Sequence, residues 1–518
     1  MTPRHVPREG DHLVVIGFGP VAWRLVDDLL PEVEAGRLRI TVLGDEPSPA
    51  YNRVLVGEVA TGKHAPADLD LVDVDDWTAR GVLLRLGTRA GWIDRAARLV
   101  HLEGDQAPVP YDLLVLAVGA RANVPRLAGL NPDPEAIGHL PPGISVLRTL
   151  DEATRVHQVV ADGGRVVVLG GGVLGLEVAA AARDAGCAVT VVHNQPWLLT
   201  RSTDSAGGAL LGGRCAGRGL VVEAGVRARA VRLGEGRRFR ALVLEDGREV
   251  LGDVLVLSVG VSPRTRLARG AGLVVNHGIV VNHELEADTE ARVFAIGDCA
   301  EVWCEEPGCG SCRTRGRRPP SGLVGPGWDQ ARWLAARLRA DLGEDPGPLE
   351  PLAESRQDVV RLKAEGIEFV AGGDLAAEPW DGADDGRDSV VWADSARRAY
   401  LKVVVEDERV VGFCSIGLPR SGAELAALYG SGEPAPADLA GYLFPGTPEC
   451  GPGGAAGAAS APEATLCRCA GVSVGAVREA IDAGADDVDR VRRATRAGSG
   501  CGGCRSGVEA LLAAIAQA

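Results

Sequence analysis

Short, almost uninterrupted apolar runs recur through the first half of the chain, and each predicts a strand buried on both faces. Two of them pass through a glycine turn directly into a segment whose apolar residues have helical spacing. Strands that alternate with helices in this way predict an α/β fold built on parallel sheets. The runs lie within Leu13–Ala22, Leu38–Leu43, Asp112–Gly119, Val166–Glu177, Ala188–Val192 and Asp253–Gly260.

The first glycine turn has the spacing of a dinucleotide-binding βαβ unit. Gly17, Gly19 and Ala22 form G-x-G-x-x-A, and Pro20 follows the second glycine. The first glycine allows the sharp turn, the second allows close approach to a pyrophosphate, and the small third residue allows helix and strand to pack. The N–H groups at the helix start would then hold the phosphates. We interpret this unit as an FAD site.

A second turn repeats the pattern. Gly170, Gly172 and Gly175 form G-x-G-x-x-G after a valine-rich strand and ahead of an alanine-rich helix. One such pattern alone is weak support, but two in the correct strand–turn–helix context predict two dinucleotide-binding domains. The later unit is expected to be inserted into the earlier one.

The ends of the second strands suggest how each nucleotide is held. An acid at this position normally binds the adenosine ribose, and Asp45 is the candidate, with Glu46 as its neighbouring alternative. Arg53 is expected over the flavin or its pyrophosphate. In the second unit the strand ends in His193, where an acid would indicate NADH and a following arginine NADPH. No arginine follows immediately, so we favour NADH.

The second half of the chain changes character. Period-2 alternation between Pro348 and Pro445 predicts a small α+β module. The segment Glu449–Ala464 is rich in Gly, Ala and Pro and predicts a flexible linker. The expected strands of the α+β module are Val359–Lys363, Glu368–Ala371, Ser389–Ala393, Arg398–Val405 and Val410–Ile416. Helices are expected elsewhere at Gly325–Arg339, Val474–Ala483, Val488–Thr495 and from Ser506.

Composition narrows the class of protein. A chain of 518 residues is too long for one core, so three or more domains are expected. The net charge of −15 argues against nucleic acid as the main partner. We find no run long enough to span a bilayer and no secretory signal at the N-terminus, so we expect a cytoplasmic protein without a membrane partner.

The 12 cysteines point to metal or redox chemistry, because clustered cysteines in a long chain without a signal seldom form disulfides. Cys467, Cys469, Cys501 and Cys504 could hold a 2Fe–2S cluster, with zinc as the main alternative. The C-x-C pair is less usual for zinc, so we favour the cluster. Cys304, Cys309 and Cys312, with Cys299, could hold zinc as well, but their irregular spacing favours a loop insertion.

Two further motifs resemble those of two-dinucleotide-domain flavoprotein reductases. Asp112–Gly119 ends in Ala117-Val118-Gly119 where that family usually has A-T-G, so the glycine is kept and the threonine is missing. Val293–Glu301 reads VFAIGDCAE and is similar to the second FAD motif. The resemblance implies that Gly119 and Asp298 contact FAD. It also implies that Glu177 lies near the nicotinamide of NAD(P)H.

The order of segments resembles the N-terminal part of the large subunit of bacterial NAD(P)H nitrite reductase. The segments PAYNRVL and VTVVHNQPWLL are similar in sequence to that family. The tail resembles bacterioferritin-associated ferredoxin, a 2Fe–2S protein. The nitrite reductase subunit continues into sirohaem and 4Fe–4S modules, so a shorter relative, the electron-transfer subunit of assimilatory nitrate reductase, is the better match. The implied layout is an FAD-binding domain (1–122 and 256–342), an NAD(P)H-binding domain (123–255), a small α+β interface domain (348–445), a linker (446–464) and a 2Fe–2S domain (465–518).

The resemblance implies that NADH passes a hydride to FAD and that single electrons then reach the 2Fe–2S cluster and a separate acceptor. The favoured acceptor is the catalytic subunit of nitrate or nitrite reductase. The cofactors carry this chemistry, so no catalytic side chain is expected. One alternative is a ferredoxin- or rubredoxin-type reductase serving an oxygenase, and another is a redox sensor. A disulfide reductase or NADH oxidase is a third, but Tyr51–Lys63 lacks the redox cysteines that those enzymes keep near the flavin. A homodimer stays open.

Overall fold

The computed structural model describes residues 8–130, 140–304, 316–343, 359–380, 386–436, 462–467, 470–500 and 503–516, with single positions at 349, 352, 439 and 443. Within these ranges the main elements are a six-stranded sheet, a parallel five-stranded sheet (called the five-stranded sheet below), the antiparallel sheet of the small module and a C-terminal helical module. The predicted α/β class with two nested Rossmann-like units is confirmed.

The six-stranded sheet carries the first glycine turn. Its strands are parallel apart from the edge strand at residues 286–288, which runs antiparallel to its neighbour. Its central strand is buried from Leu13 to Ile16, as expected for a strand covered on both faces. Across the sheet the strands are Glu286–Asp288, Val293–Ala295, Leu113–Leu116, Asp11–Ile16, Leu38–Leu43 and Leu83–Arg85.

Two long helices cover one side of this sheet. They are Pro20–Glu34 and Val324–Asp341. The indole nitrogen of Trp328, which is almost fully buried, donates to the carbonyl oxygen of Pro20 at 3.0 Å. The Trp328 ring also lies 6.0 Å from that of Trp23. These contacts fix the start of the first helix, and with it the N–H groups that face the glycine turn.

The five-stranded sheet carries the second glycine turn and is parallel throughout. A separate antiparallel sheet of three strands, at 228–233, 239–244 and 249–251, packs against it. Helices Leu150–Ala161, Val173–Asp184 and Ser205–Gly217 accompany the sheet. Across it the strands are Val221–Ala224, Ala188–His193, Arg165–Leu169, Val254–Leu257 and Ile144–Val146.

The chain leaves the five-stranded sheet later than expected. The expected boundary at residue 256 lies inside the apolar run Asp253–Gly260, so most of this run is expected in the FAD domain. Strand Val254–Leu257 pairs instead along its whole length with Val166–Leu169 in the five-stranded sheet. The return follows as a two-stranded ribbon in which Val261–Pro263 runs antiparallel to Ala120–Ala122. An apolar run predicts a strand but does not specify which sheet it joins.

In its described residues the small module contains an antiparallel sheet, as its period-2 patterning predicts. Helix Pro419–Ser431 packs on it, and Phe413 and Tyr429 lie with their rings 5.7 Å apart. In spatial order the strands are Val360–Arg361, Phe369–Gly373, Arg409–Ile416, Ala399–Glu406 and Arg387–Asp394.

The described residues of the C-terminal module form a short hairpin and three helices. The hairpin pairs Thr465–Cys467 with Val472–Ser473. Its helices are Val474–Asp482, Val488–Thr495 and Arg505–Ala516, close to the predicted segments. The module's apolar residues join the core of the six-stranded sheet in one continuous cluster. Of the predicted linker, only 462–464 belong to the described residues.

The remaining elements are short. Hairpins and small sheets lie at 90–94, 99–102 and 109–110, and at 279–281, 300–304 and 316–318. Short helices are Val56–Ala60, Val74–Ala79 and Arg266–Gly270. Single 3-10 turns lie at 53–55, 66–69, 235–237 and 297–299. Within the described ranges, no helix has the length and apolar character needed to cross a membrane.

Candidate functional site

The first glycine turn is shaped by close backbone contact. Gly17 has φ of +99°, and a Cβ there would lie 2.4 Å from the carbonyl oxygen of Ala117, so only glycine fits. Gly19 is the N-cap of the first helix and provides no side-chain cap, with Pro20 at the first helical position. Ala22 is fully buried against the sheet. The uncapped helix start therefore fits the pyrophosphate of a dinucleotide.

A cleft opens beside this turn at the end of the second strand. Glu46 lies deeper than Asp45, with 24% of its side chain exposed against 41%. Glu46 accepts a hydrogen bond from the Tyr51 hydroxyl at 2.7 Å and pairs with Arg53. Burial raises the pKa of the Tyr51 phenol, so it remains a donor. The residues lining the cleft are Phe18, Gly44, Asp45, Glu46, Ser48, Tyr51 and Arg53.

Arg53 connects this cleft to the second flavin motif through a residue that we did not predict. Its Nη1 donates to the carbonyl oxygen of Arg148 at 2.9 Å. The guanidinium of Arg148 lies 2.7 Å from Asp298 Oδ2 and next to Gly119, whose φ is +65°. Predicted residues Arg53, Gly119 and Asp298 thus come together around Arg148. No local pattern marks Arg148, because it lies in the nested domain's first loop.

The second glycine turn repeats the geometry of the first. A Cβ at Gly170 would lie 2.0 Å from the carbonyl oxygen of Ser258, and one at Gly175 would lie 2.3 Å from that of Gly170. Gly172 is the N-cap of helix Val173–Asp184, again without a side-chain cap, and nothing crowds it. The turn therefore fits a second pyrophosphate.

His193 lies against this second turn. The Gly171 N–H donates to His193 Nδ1 at 3.1 Å. Burial lowers the pKa of the imidazole, which favours the neutral ring that can accept this bond. The side chain that ends the strand is therefore directed at the nucleotide turn rather than at solvent.

Glu177 links the nested domain to the small module. Its Oε1 accepts a hydrogen bond from the Lys363 N–H at 2.9 Å. On the same helix, Val178 packs on Gly57 of the short helix that follows Arg53. Helix Val173–Asp184 is thus in contact with the small module and with the FAD-side segment that follows Arg53, at the point where the nicotinamide is expected.

Two of the four tail cysteines lie in the described ranges. Cys467, on the hairpin, and Cys504, just before the last helix, are both buried in one apolar core with Val472, Val477 and Val508. Cys469 and Cys501 fall outside those ranges, and no group of three or more potential metal ligands is found among the residues that are described. Buried cysteines at the hairpin and at the helix start fit a four-thiolate cluster.

Cys299 has a different environment. It is fully buried, and its thiol donates to the carbonyl oxygens of Leu116 and Ile296 at 3.3 and 3.2 Å. Burial raises the pKa of this thiol to about 11, so it stays protonated and its hydrogen bonds serve the fold. Cys304 ends a strand and is buried, whereas Cys309 and Cys312 lie outside the described residues.

Comparison with known proteins agrees with this geometry. Residues 11–318 match the family model described as pyridine nucleotide-disulphide oxidoreductase, and residues 465–514 match the BFD-like [2Fe-2S] binding domain. The chain is 30% identical over 506 residues to the NAD(P)H nitrite reductase large subunit of Klebsiella oxytoca, covering 96% of this chain and 48% of that one. It is 25% identical over 512 residues to the assimilatory nitrate reductase electron transfer subunit of Bacillus subtilis, with 96% and 59% covered.

Among solved structures, a ferredoxin reductase from Rhodopseudomonas palustris matches with a TM-score of 0.65 at 27% identity, covering 79% of this chain and 91% of that chain. The chain spans about half the length of the curated relatives it matches. These matches confirm the predicted resemblance, the oxidoreductase class and the cofactor set of FAD, NAD(P)H and a 2Fe–2S cluster.

Proposed function

Because the chain belongs to the pyridine nucleotide-disulphide oxidoreductase family, we propose that it carries electrons from NAD(P)H to a separate redox protein. The favoured acceptor is the catalytic subunit of an assimilatory nitrate or nitrite reductase. The observation that carries the proposal is that two glycine turns and a buried-cysteine module share one chain, with the module packed on the core of the first sheet. The match to an electron transfer subunit along 96% of the chain supports the choice of acceptor.

When bound, NAD(P)H would supply a hydride, FAD would accept two electrons and release them singly, and the cluster would carry one electron at a time. We assign FAD to the six-stranded sheet, where the turn at Gly17 and Gly19 would hold its pyrophosphate, with Pro20 starting the helix and Ala22 packing it on the sheet. Glu46 lies deeper in the cleft than Asp45 and is the better candidate for the adenosine ribose.

The remaining flavin contacts would come from the cluster of Arg53, Gly119 and Asp298. Arg148 pairs with Asp298 and so orients its carboxylate. We assign NAD(P)H to the five-stranded sheet at Gly170, Gly172 and Gly175.

By the resemblance, Glu177 would lie beside the nicotinamide, and the Lys363 N–H fixes its carboxylate. The cluster would be held by Cys467, Cys469, Cys501 and Cys504. In domain terms, the FAD-binding part would be 1–122 and 258–342, and the nested part 123–257, with the other bounds as first expected.

Anaerobic titration of the purified chain tests the proposal. NADH should bleach the flavin band, and a reduced 2Fe–2S signal should then appear by electron paramagnetic resonance. Adding oxidised nitrate reductase catalytic subunit should remove that signal, whereas a ferredoxin should do so far more slowly. A colourless chain that contains zinc would refute the electron-transfer proposal.

A second candidate is a reductase for a ferredoxin that serves an oxygenase. It is favoured by the structural match to a ferredoxin reductase over 79% of this chain. In that case the same titration would show rapid oxidation by ferredoxin and none by nitrate reductase, so one experiment separates the two.

A further inference from the structure

The C-terminal module is bound to the first helix of the six-stranded sheet by an ion-pair network. Arg496 Nη1 lies 3.0 Å from Asp28 Oδ1, and the other amino group of Arg496 pairs with Asp27. Arg24 completes the network, with its Nε 2.8 Å from Asp28 Oδ2. Two carboxylates of Pro20–Glu34, the helix that begins at the flavin turn, therefore pair with one arginine of the module, and Arg24 supports one of them from within the helix.

This network is shielded from water. The side chains of Arg496, Asp27 and Asp28 are 29%, 20% and 15% exposed. Ion pairs that are largely shielded from solvent are less screened by salt than pairs on the open surface. Removing one partner leaves the other charge poorly solvated. Removing Arg496 should therefore weaken the docking of the module on this helix.

The backbone at Arg496 adopts a conformation that is unusual for a residue other than glycine. Arg496 is the C-cap of helix Val488–Thr495 and has φ of +66°. Glycine or asparagine is the usual residue in this left-handed position, because a Cβ disfavours it. An arginine here gives up some local stability, and its paired guanidinium offers a compensating contact.

A second contact connects the two predicted cofactor sites. The Asn52 side-chain nitrogen donates to the carbonyl oxygen of Gly500 at 2.6 Å, and Asn52 is buried. Its side-chain oxygen accepts from the Val54 N–H, which fixes the orientation of the amide. Asn52 directly precedes Arg53, and Gly500 directly precedes Cys501. One hydrogen bond thus joins the flavin-side loop to the segment that bears a cluster ligand.

The hairpin of the C-terminal module is in contact with the second helix that covers the six-stranded sheet. A Cβ at Gly471, which has φ of +66°, would lie 2.9 Å from Nη1 of Arg332 on helix Val324–Asp341. Gly471 follows Cys469 by two positions. The close approach brings the hairpin side of the cysteine segment onto the second helix that covers the six-stranded sheet.

We propose that Arg496 and Asn52 are positioning residues that hold the C-terminal module where it receives electrons from the flavin. The inference rests on the proposed function, in that it places a cluster in this module. Two successive one-electron transfers return the reduced flavin to its oxidised form, release its proton to solvent and reduce the cluster twice. The protein acceptor reoxidises the cluster after each transfer. Because electron transfer slows steeply with distance, loosening the module slows this step alone.

Rapid kinetics of Arg496→Ala tests the effect on electron transfer. Flavin bleaching by NADH should keep its wild-type rate and KM, while cluster reduction after flavin reduction should slow about tenfold. Iron content and the dithionite-reduced resonance spectrum should be unchanged. Arg496→Lys should restore part of the rate. Arg490→Ala is the matched control, because Arg490 pairs with Asp486 of its own module at 2.7 Å.

A double-mutant cycle shows whether Arg496 acts through the helix. If it does, Arg496→Ala in an Asp27→Asn/Asp28→Asn background should slow the step little further, since contacting residues are not additive. Full additivity, or a wild-type rate in Arg496→Ala, would overturn the proposal.

Hydrogen exchange of the full chain tests docking without reference to activity. In Arg496→Ala, amides near Asp27 and Asn52 should exchange about tenfold faster than in wild type, while those of helix Leu150–Ala161 should not change. Unchanged exchange at both places would refute docking. If the purified chain contains no iron, the proposed function fails, but the exchange result still decides whether the module docks here.

Discussion

The fully buried ammonium of Lys402 allows the most quantitative prediction. Lys402 lies on strand Ala399–Glu406, with none of its side chain exposed. Its Nζ is 2.9 Å from Glu378 Oε1 and 3.2 Å from Asp204 Oδ2. Asp204 is also the N-cap of helix Ser205–Gly217, where its other oxygen accepts from the Gly207 N–H at 2.8 Å. One lysine of the small module therefore stabilises a helix of the nested domain.

We expect Lys402→Met to lower the free energy of unfolding by about 3 kcal/mol. Removing one partner of a buried ion pair costs about 3–5 kcal/mol, because the remaining charges are left poorly compensated. The lower end applies because Asp204 keeps the hydrogen bonds from Gly207 and from the Tyr400 hydroxyl. Methionine retains most of the side-chain length, so the cavity contribution is small.

Urea unfolding, followed by circular dichroism and tryptophan fluorescence, measures this loss by linear extrapolation. Arg397→Met is the matched control, since Arg397 is 67% exposed and pairs with Asp394 at 3.6 Å, and it should cost about 0.5 kcal/mol or less. Adding Glu378→Gln to Lys402→Met should recover part of the loss. If Lys402→Met costs no more than the control, the lysine does not stabilise the contact between the two domains.

Four other outcomes follow from the structure. Gly170→Ala, which would place a Cβ against the carbonyl oxygen of Ser258, should raise the KM for NADH about tenfold or more in steady-state assays while flavin absorbance is kept. Cys504→Ser should abolish bound iron in metal analysis without preventing flavin bleaching by NADH. His193→Arg should shift the ratio of kcat/KM values about fivefold or more towards NADPH, because a guanidinium binds the 2′-phosphate. Although burial opposes it, hydrogen bonds from Tyr400 and Gly207 and the positive charge of Lys402 lower the pKa of Asp204 from its usual value of 3.8; its stabilisation is therefore present above that pH and lost as the pH falls through the lowered pKa, so Asp204→Asn should flatten the acid side of a plot of Tm against pH.

The elements and the two glycine turns could be predicted because their signals are local. A turn such as Gly17–Gly19 follows from a few neighbouring residues, and helix Val488–Thr495 from its own periodicity. Strand Val254–Leu257 was also predicted, but not the sheet it joins, because any apolar strand can complete either parallel sheet.

The parts of the site that sequence reasoning missed are contacts between distant segments. Asn52 and Gly500 are 448 positions apart, and Lys363 meets Glu177 across 186. Arg148 approaches Asp298 across 150. Asp298 and Glu177 lie in motifs that the sequence reveals, and Asn52 lies within PAYNRVL, but nothing in the sequence pairs them with Arg148, Lys363 or Gly500. Only the packing of domains brings such pairs together.

The ribbon of Ala120–Ala122 and Val261–Pro263 has a consequence for modularity. Because the first of these antiparallel segments leaves the six-stranded sheet and the second returns to it side by side with the first, the nested part begins and ends at nearly the same point in space. Insertions whose two ends are adjacent disturb their host least. A short turn joining Ala122 to Val261 would close the host into a continuous chain, and another nucleotide-binding unit could be grafted at the same junction. Exchange of whole cassettes there offers a route by which one flavin scaffold could acquire different electron donors.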